Sequence, residues 1–148
     1  MEFLMKKQIL FVAALVIPAT IAWAHDGVKN AAVMARMDAM SDIGAATKIL
    51  GNMARGRTDF DQSAAQAAAT TIATKAAMVP ALFEAQEDDP LSEARDAIWS
   101  NFDDFTAKSN ALQMAAEAAA QATSLSALRA AMGGIGGSCK DCHQSYRE

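Results

Sequence analysis

Between residues 98 and 146 the apolar side chains keep step with a helix. Ile98, Phe102, Phe105, Ser109, Leu112, Ala116 and Ala119 follow one another at alternating steps of four and three residues. After a short break, Leu125, Leu128, Met132, Ile135, Cys139, Cys142 and Tyr146 continue the same rhythm. That alternation lines one stripe of a helix and is the seam of a helical bundle. Two earlier stretches behave alike. Residues 28–54 carry Val33, Met37, Met40, Ile43, Thr47 and Leu50, and residues 62–79 carry Ala65, Ala69, Ile72, Ala76 and Val79. The alternating pattern of a strand is almost absent.

The breaks between these stretches predict where the helices end. Gly56 in "RGRTDFD" stops the first, Asp59 or Asp61 caps the second, and Pro80 ends it. In the following "PALFEAQEDDPLSE", Leu82 and Phe83 turn inward and the acidic run is a solvated loop. A third helix starts after Ser92 and a fourth at Thr123 or Ser124. Short links between long helices favour antiparallel neighbours. The expected fold is all-α: one antiparallel up-down four-helix bundle, without internal repeats or a second domain.

The first residues read differently. Lys6 and Lys7 precede the apolar run "QILFVAALVIPATIAWA", which ends in small residues at Ala22 and Ala24. This is the layout of a secretory signal peptide. Glu2 is unusual in its basic region, so Met5 is an alternative start. Against a transmembrane anchor stand the short run, Pro18 and the cleavage pattern. Residues 1–24 are therefore expected to be a cleaved signal, leaving 25–148 as the mature domain with His25 first, in the periplasm and without a membrane anchor. Losing Glu2, Lys6 and Lys7 moves the net charge from −4 to −5. A mildly acidic chain without a basic block argues against nucleic acid and against anionic membranes as partners.

The chain closes on "GGSCKDCHQSYRE", which holds its only two cysteines. In an exported protein a free pair would tend to oxidise, yet a bridge across C-x-x-C closes too small a loop to stabilise much. On the predicted helix Cys139 and Cys142 share the inward face, and His143 lies one turn from Cys139. Gly133, Gly134, Gly136 and Gly137 surround that face and leave room for a bulky group. Two thiols so placed reach two neighbouring substituents of a flat ligand while the imidazole points at its centre. Covalent haem c requires this set: thioethers from Cys139 and Cys142, with His143 as the proximal iron ligand. Structural zinc needs four protein ligands, and the only other histidine is His25. Thioredoxin-like chemistry expects a βαβ context, for which no strand is visible.

A bundle with C-x-x-C-H on its last helix, followed by "QSYR", resembles the class II c-type cytochromes, the cytochrome c′ family. The resemblance runs through the mature chain: "AVMARMDAM" in the first helix, "GRTDFD" at the turn, "ALF" and "AIWSNFDDF" around the third, and "LRAAMGGIGGSCKDCHQSYR" in the fourth. It implies that Met40 lies over the distal haem face and that Arg36, one helical turn away, meets a haem propionate. Tyr146 and Arg147 match the aromatic and the arginine after the motif, and Arg147 is expected near His143, tempering its electron donation. Trp99, Phe102 and Phe105 are expected in the core, with Lys140 and Asp141 in solvent.

Met40 keeps two readings. Its sulfur as sixth ligand makes a low-spin carrier of electrons. Packing alone leaves a five-coordinate, high-spin iron open to NO or CO. The expectation is a periplasmic monohaem one-electron carrier with His143/Met40 ligation and redox proteins as partners, with gas binding as the alternative. An enzyme such as a peroxidase lacks support, since no distal histidine is available. The resemblance also permits homodimers through the first two helices, where "GAATKILGNMA" and "AAQAAAT" are rich in small residues.

Overall fold

The computed structural model describes residues 27–148, so the expected signal peptide and His25 lie outside the described residues. Five helices follow in chain order: α1 (Ala31–Ala54), α2 (Gln62–Leu82), the single turn α3 (Ala97–Ser100), α4 (Phe102–Ala120) and α5 (Leu125–Tyr146). The four long ones form the bundle. Packing is densest between α2 and α4, close for α1 with α2 and for α4 with α5, and sparsest between α1 and α5. That thin seam is where the cavity described below opens.

Local chemistry explains the helix ends. Asn30 caps α1 by accepting from the Ala32 and Val33 amides at 2.9 and 3.1 Å. Asp61 accepts from Ala64 at 2.8 Å and Ser124 from Ala127 at 3.2 Å, doing the same for α2 and α5. At the far end of α1, Gly56 adopts φ +69°. The Gly56 amide then reaches the Met53 carbonyl and the Arg57 amide the Asn52 carbonyl, both at 2.9 Å. This paired closure is the Schellman stop, which favours glycine because the left-handed region crowds a Cβ.

Two expectations are corrected. Pro80 does not end α2, which runs two residues further to Leu82 with the proline inside it. A proline lacks the N–H that would bond the carbonyl four residues back, here that of Ala76. The Ser109 hydroxyl of α4 donates to that carbonyl at 2.8 Å instead, in a buried position. Nor does one helix start after Ser92. The chain stays irregular to Asp96, makes α3, breaks at Asn101 (φ −136°, ψ 45°) and restarts as α4. Asp103 and Asp104 then sit in the first turn of α4, where the helix dipole favours acids.

The core has two parts. The larger joins Ile43, Leu50, Ile72, Leu112, Leu128 and Ile135 through the buried alanines of α2 and α4, whose small side chains let the backbones approach. The smaller gathers Val79, Phe83, Ile98, Phe105 and Tyr146. Phe83 turns inward as expected, and Leu82 is half-buried. The acidic run is only partly a solvated loop: Glu84 to Asp88 are exposed, but Asp89 is 7% exposed. Among the described residues no helix is long and apolar enough to cross a membrane.

Candidate functional site

A cavity of about 320 Å³ opens between α1 and α5. From α1 it is lined by Val33, Arg36, Met37, Met40 and Ser41, and from α5 by Cys142, His143 and Tyr146, with Arg147 just beyond. Phe83, Ile98 and Phe105 contribute from α2's end, α3 and α4. The helical spacing of Arg36 and Met40 sets both on one face of α1, and that face is turned towards the motif on α5. Met40 is half-buried and packs against both parts of the core.

Cys139 and Cys142 are unbridged and half-buried. Cys139 packs against the larger core and Cys142 against the smaller. Only Cys142 lines the cavity; Cys139 stands one turn before it on α5. Burial raises both thiols, that of Cys142 to about 11 despite the opposing pull of the Lys108 cation. His143 is exposed at the cavity mouth, yet partial desolvation lowers its imidazole, helped by Arg147 and opposed by Glu93. A neutral imidazole offers a lone pair to a metal.

The α4 side steadies the motif. Lys108 binds Asp141 at 2.5 Å, tying the residue between the two cysteines to the neighbouring helix. Asp141 and Lys140 are exposed, as expected. Tyr146 donates its hydroxyl to Asp104 at 2.6 Å and sets its ring edge-on to Phe105, centroids 5.4 Å apart. The Asp104 carboxylate, with burial adding to it, lifts the Tyr146 phenol to about 12. Arg147 pairs with Glu93. Phe105 is core as expected, while Trp99 and Phe102 are half-buried at its edge.

Arg36 is the unexpected member. It is 3% exposed, and its guanidinium donates to the carbonyls of Leu82, Glu87 and Ala85 at 2.9, 2.8 and 2.6 Å. It also faces the rings of Phe83 and Trp99, at 4.5 and 5.5 Å from their centroids. Of its five N–H donors three are therefore spent on the loop after α2, leaving two. The four glycines of α5 are all exposed. A Cβ at Gly133, Gly136 or Gly137 would meet nothing within 4 Å, and only Gly134 faces α4, against Ala115.

The donor set fits a covalently held haem: two free thiols spaced i, i+3, an adjacent neutral imidazole, apolar walls and a buried cation. Structural zinc has no such support, because among the described residues no three His, Cys, Asp or Glu side chains gather to hold a metal ion. Sequence reasoning missed Asp104, Lys108 and Glu93, since each partners the motif or its flank across 33 to 54 residues. It also missed the loop contacts of Arg36.

The profile described as Cytochrome C′ matches residues 31–147. A cytochrome c-556 of Agrobacterium tumefaciens (strain apple 185) is 39% identical over 120 residues, covering 76% of this chain and 91% of its own. The solved cytochrome c′ of Rhodopseudomonas palustris superposes with a TM-score of 0.75 at 30% identity, covering 81% of this chain and 98% of that one. A nitric oxide complex of a cytochrome c prime variant from Alcaligenes xylosoxidans gives a TM-score of 0.71 at 31% identity, with coverage of 79% and 94%.

Proposed function

The chain belongs to the cytochrome c′ family, monohaem proteins that carry electrons or bind gases, and from that premise we propose that it is a periplasmic one-electron carrier with His143 and Met40 as axial ligands. Its cofactor is covalently bound haem c, which supplies an Fe(III)/Fe(II) couple whose potential a thioether ligand raises. In this reading Cys139 and Cys142 form the two thioether links and His143 is the proximal ligand. Residues 1–24 are a cleaved export signal and 25–148 the working domain.

One observation carries the ligand assignment: Met40 and His143 line the same cavity from two different helices, with Cys142 beside His143. A thioether held by two core clusters has little freedom to lose on binding. The two uncommitted N–H groups of Arg36 are the donors for a propionate carboxylate, a charge-assisted bond of the kind arginine makes well. Apolar walls from Val33, Ile98, Phe105 and Phe83 suit the faces of a haem whose task is electron transfer. His143 is the only histidine among the described residues and in this reading is committed to the iron, so the protein is read as a carrier. Redox proteins are its partners. Pairing of two copies through the outer faces of α1 and α2, where Ile49 and Met78 stand exposed, belongs to the same proposal.

Gas binding is the second reading, favoured by the nitric oxide complex of the related variant. Spectroscopy of the oxidised holoprotein separates the two. A low-spin spectrum that turns high-spin in Met40→Ala supports the carrier. An unchanged spectrum in that variant removes Met40 from the iron, and a high-spin wild type that takes up CO rapidly on reduction selects the gas binder.

A further inference from the structure

The irregular segment 83–96 supplies Phe83, Ser92, Glu93 and Ala94 to the cavity wall. A loop of this length is usually a mobile surface feature. This one is fastened at three places. Near its start, the Arg36 guanidinium holds the carbonyls of Leu82, Ala85 and Glu87. In its middle, the Asp89 carboxylate turns back on the start of α1. It accepts from the amides of Lys29 and Asn30 at 2.9 and 3.1 Å, and from Leu91 at 3.0 Å. Towards its end, the Arg95 amide donates to the Tyr146 carbonyl at 3.0 Å and the Glu148 amide to that of Glu93 at 2.9 Å. The middle anchor is a carboxylate saturated by backbone N–H groups, which holds it well below the usual carboxylate range.

We propose that Asp89 and Arg36 are positioning residues that fix the loop after α2 as a preformed wall of the haem cavity and so decide how closely Phe83 confines Met40. Phe83 is where the two duties meet. Its ring stacks under the Arg36 cation at 4.5 Å and lies 5.0 Å from the Phe105 ring. It is 7% exposed, and Met40 packs against its cluster. Releasing the loop frees Phe83 to move and widens the room around the Met40 side chain, which weakens the hold on that thioether and eases entry of a small gas. The inference rests on the reading that this cavity receives the haem.

Asp89 is the decisive position, because it lines no part of the cavity; any effect there must travel through the loop. The experiment uses holoprotein carrying Asp89→Ala, with Asp89→Asn as the milder variant should the first fail to fold. Amide hydrogen exchange at residues 84–91 is expected to rise at least about tenfold, the scale of losing even one of the three charge-assisted hydrogen bonds of Asp89, while the buried amides of α2 and α4 keep wild-type rates. The CO association rate of the reduced protein is expected to rise severalfold in the same sample, with a larger high-spin fraction when oxidised. Unchanged exchange at 84–91 would overturn the anchor. Faster exchange with unaltered CO rate and spin state would overturn the wall. Failure of the parent reading looks different: the wild type itself would carry no covalent haem.

Discussion

Ser109 shows how one hydroxyl can reverse a local rule. Pro80 leaves the Ala76 carbonyl without its helical donor, and burial makes an unpaired carbonyl expensive. With Ser109 donating, α2 keeps its last turn and so delivers Leu82 and Phe83 to Arg36 and the cavity. Ser109→Ala is therefore expected to destabilise the holoprotein by about 1–3 kcal/mol in denaturant unfolding. Restoring the donor with Pro80→Ala in that background should recover part of the loss; a neutral Ser109→Ala would refute the pairing. Tyr146 offers a second test, because it is the chain's one tyrosine. Its phenol is lifted from the ordinary 10 to about 12, chiefly by the hydrogen bond to Asp104. Because the folded value lies above the unfolded one, the stabilisation is whole below pH 10. It is lost as pH rises through 12. Ultraviolet titration should show no tyrosinate near pH 10, and Asp104→Asn should bring the transition down. At this scale Cys139, Cys142 and His143 were legible because their spacing is the chemistry itself. Asp89 was not: its partners lie 59 and 60 residues back in the chain, and nothing local distinguishes it from the acids around it.

Among elements, the helices were legible from their apolar rhythm and their caps, since both signals are local. Gly56 was read as a stop and its left-handed backbone shows why. The same substitution should then act with opposite signs at a glycine inside α1 and at the one just past its end. Gly56→Ala is expected to cost about 1–2 kcal/mol, the strain of an L side chain in the left-handed region. At Gly44, inside α1, a Cβ meets nothing within 4 Å, so Gly44→Ala should stabilise by up to about 1 kcal/mol through helix propensity. Thermal or denaturant melts of the two variants check both, and equal signs would contradict the assignment of Gly56 as the stop. The ends that were misread, at Pro80 and around Asn101, depend on tertiary partners or on a single irregular residue inside an otherwise helical rhythm.

For the whole molecule, the bundle and its family could be read because alternation, motif and order of segments agree along the chain. The thin α1–α5 seam could not, since it follows from how four stripes of unequal width close on one another. An acidic surface adds a prediction about encounter. Oxidation of the reduced holoprotein by a cationic metal complex should slow as ionic strength rises, and oxidation by an anionic one should quicken, because opposite charges attract across about 10 Å at 0.1 M salt. A rate indifferent to salt for both would show that the electron leaves through a locally neutral patch. The central claim, that haem is fastened to α5 at Cys139 and Cys142, is tested most directly by mass spectrometry of the chain made in a host that matures c-type cytochromes. The account predicts one haem added to the chain, retained after acidic acetone and after digestion on a C-terminal fragment containing both cysteines. A chain of unmodified mass with two titratable thiols would contradict it.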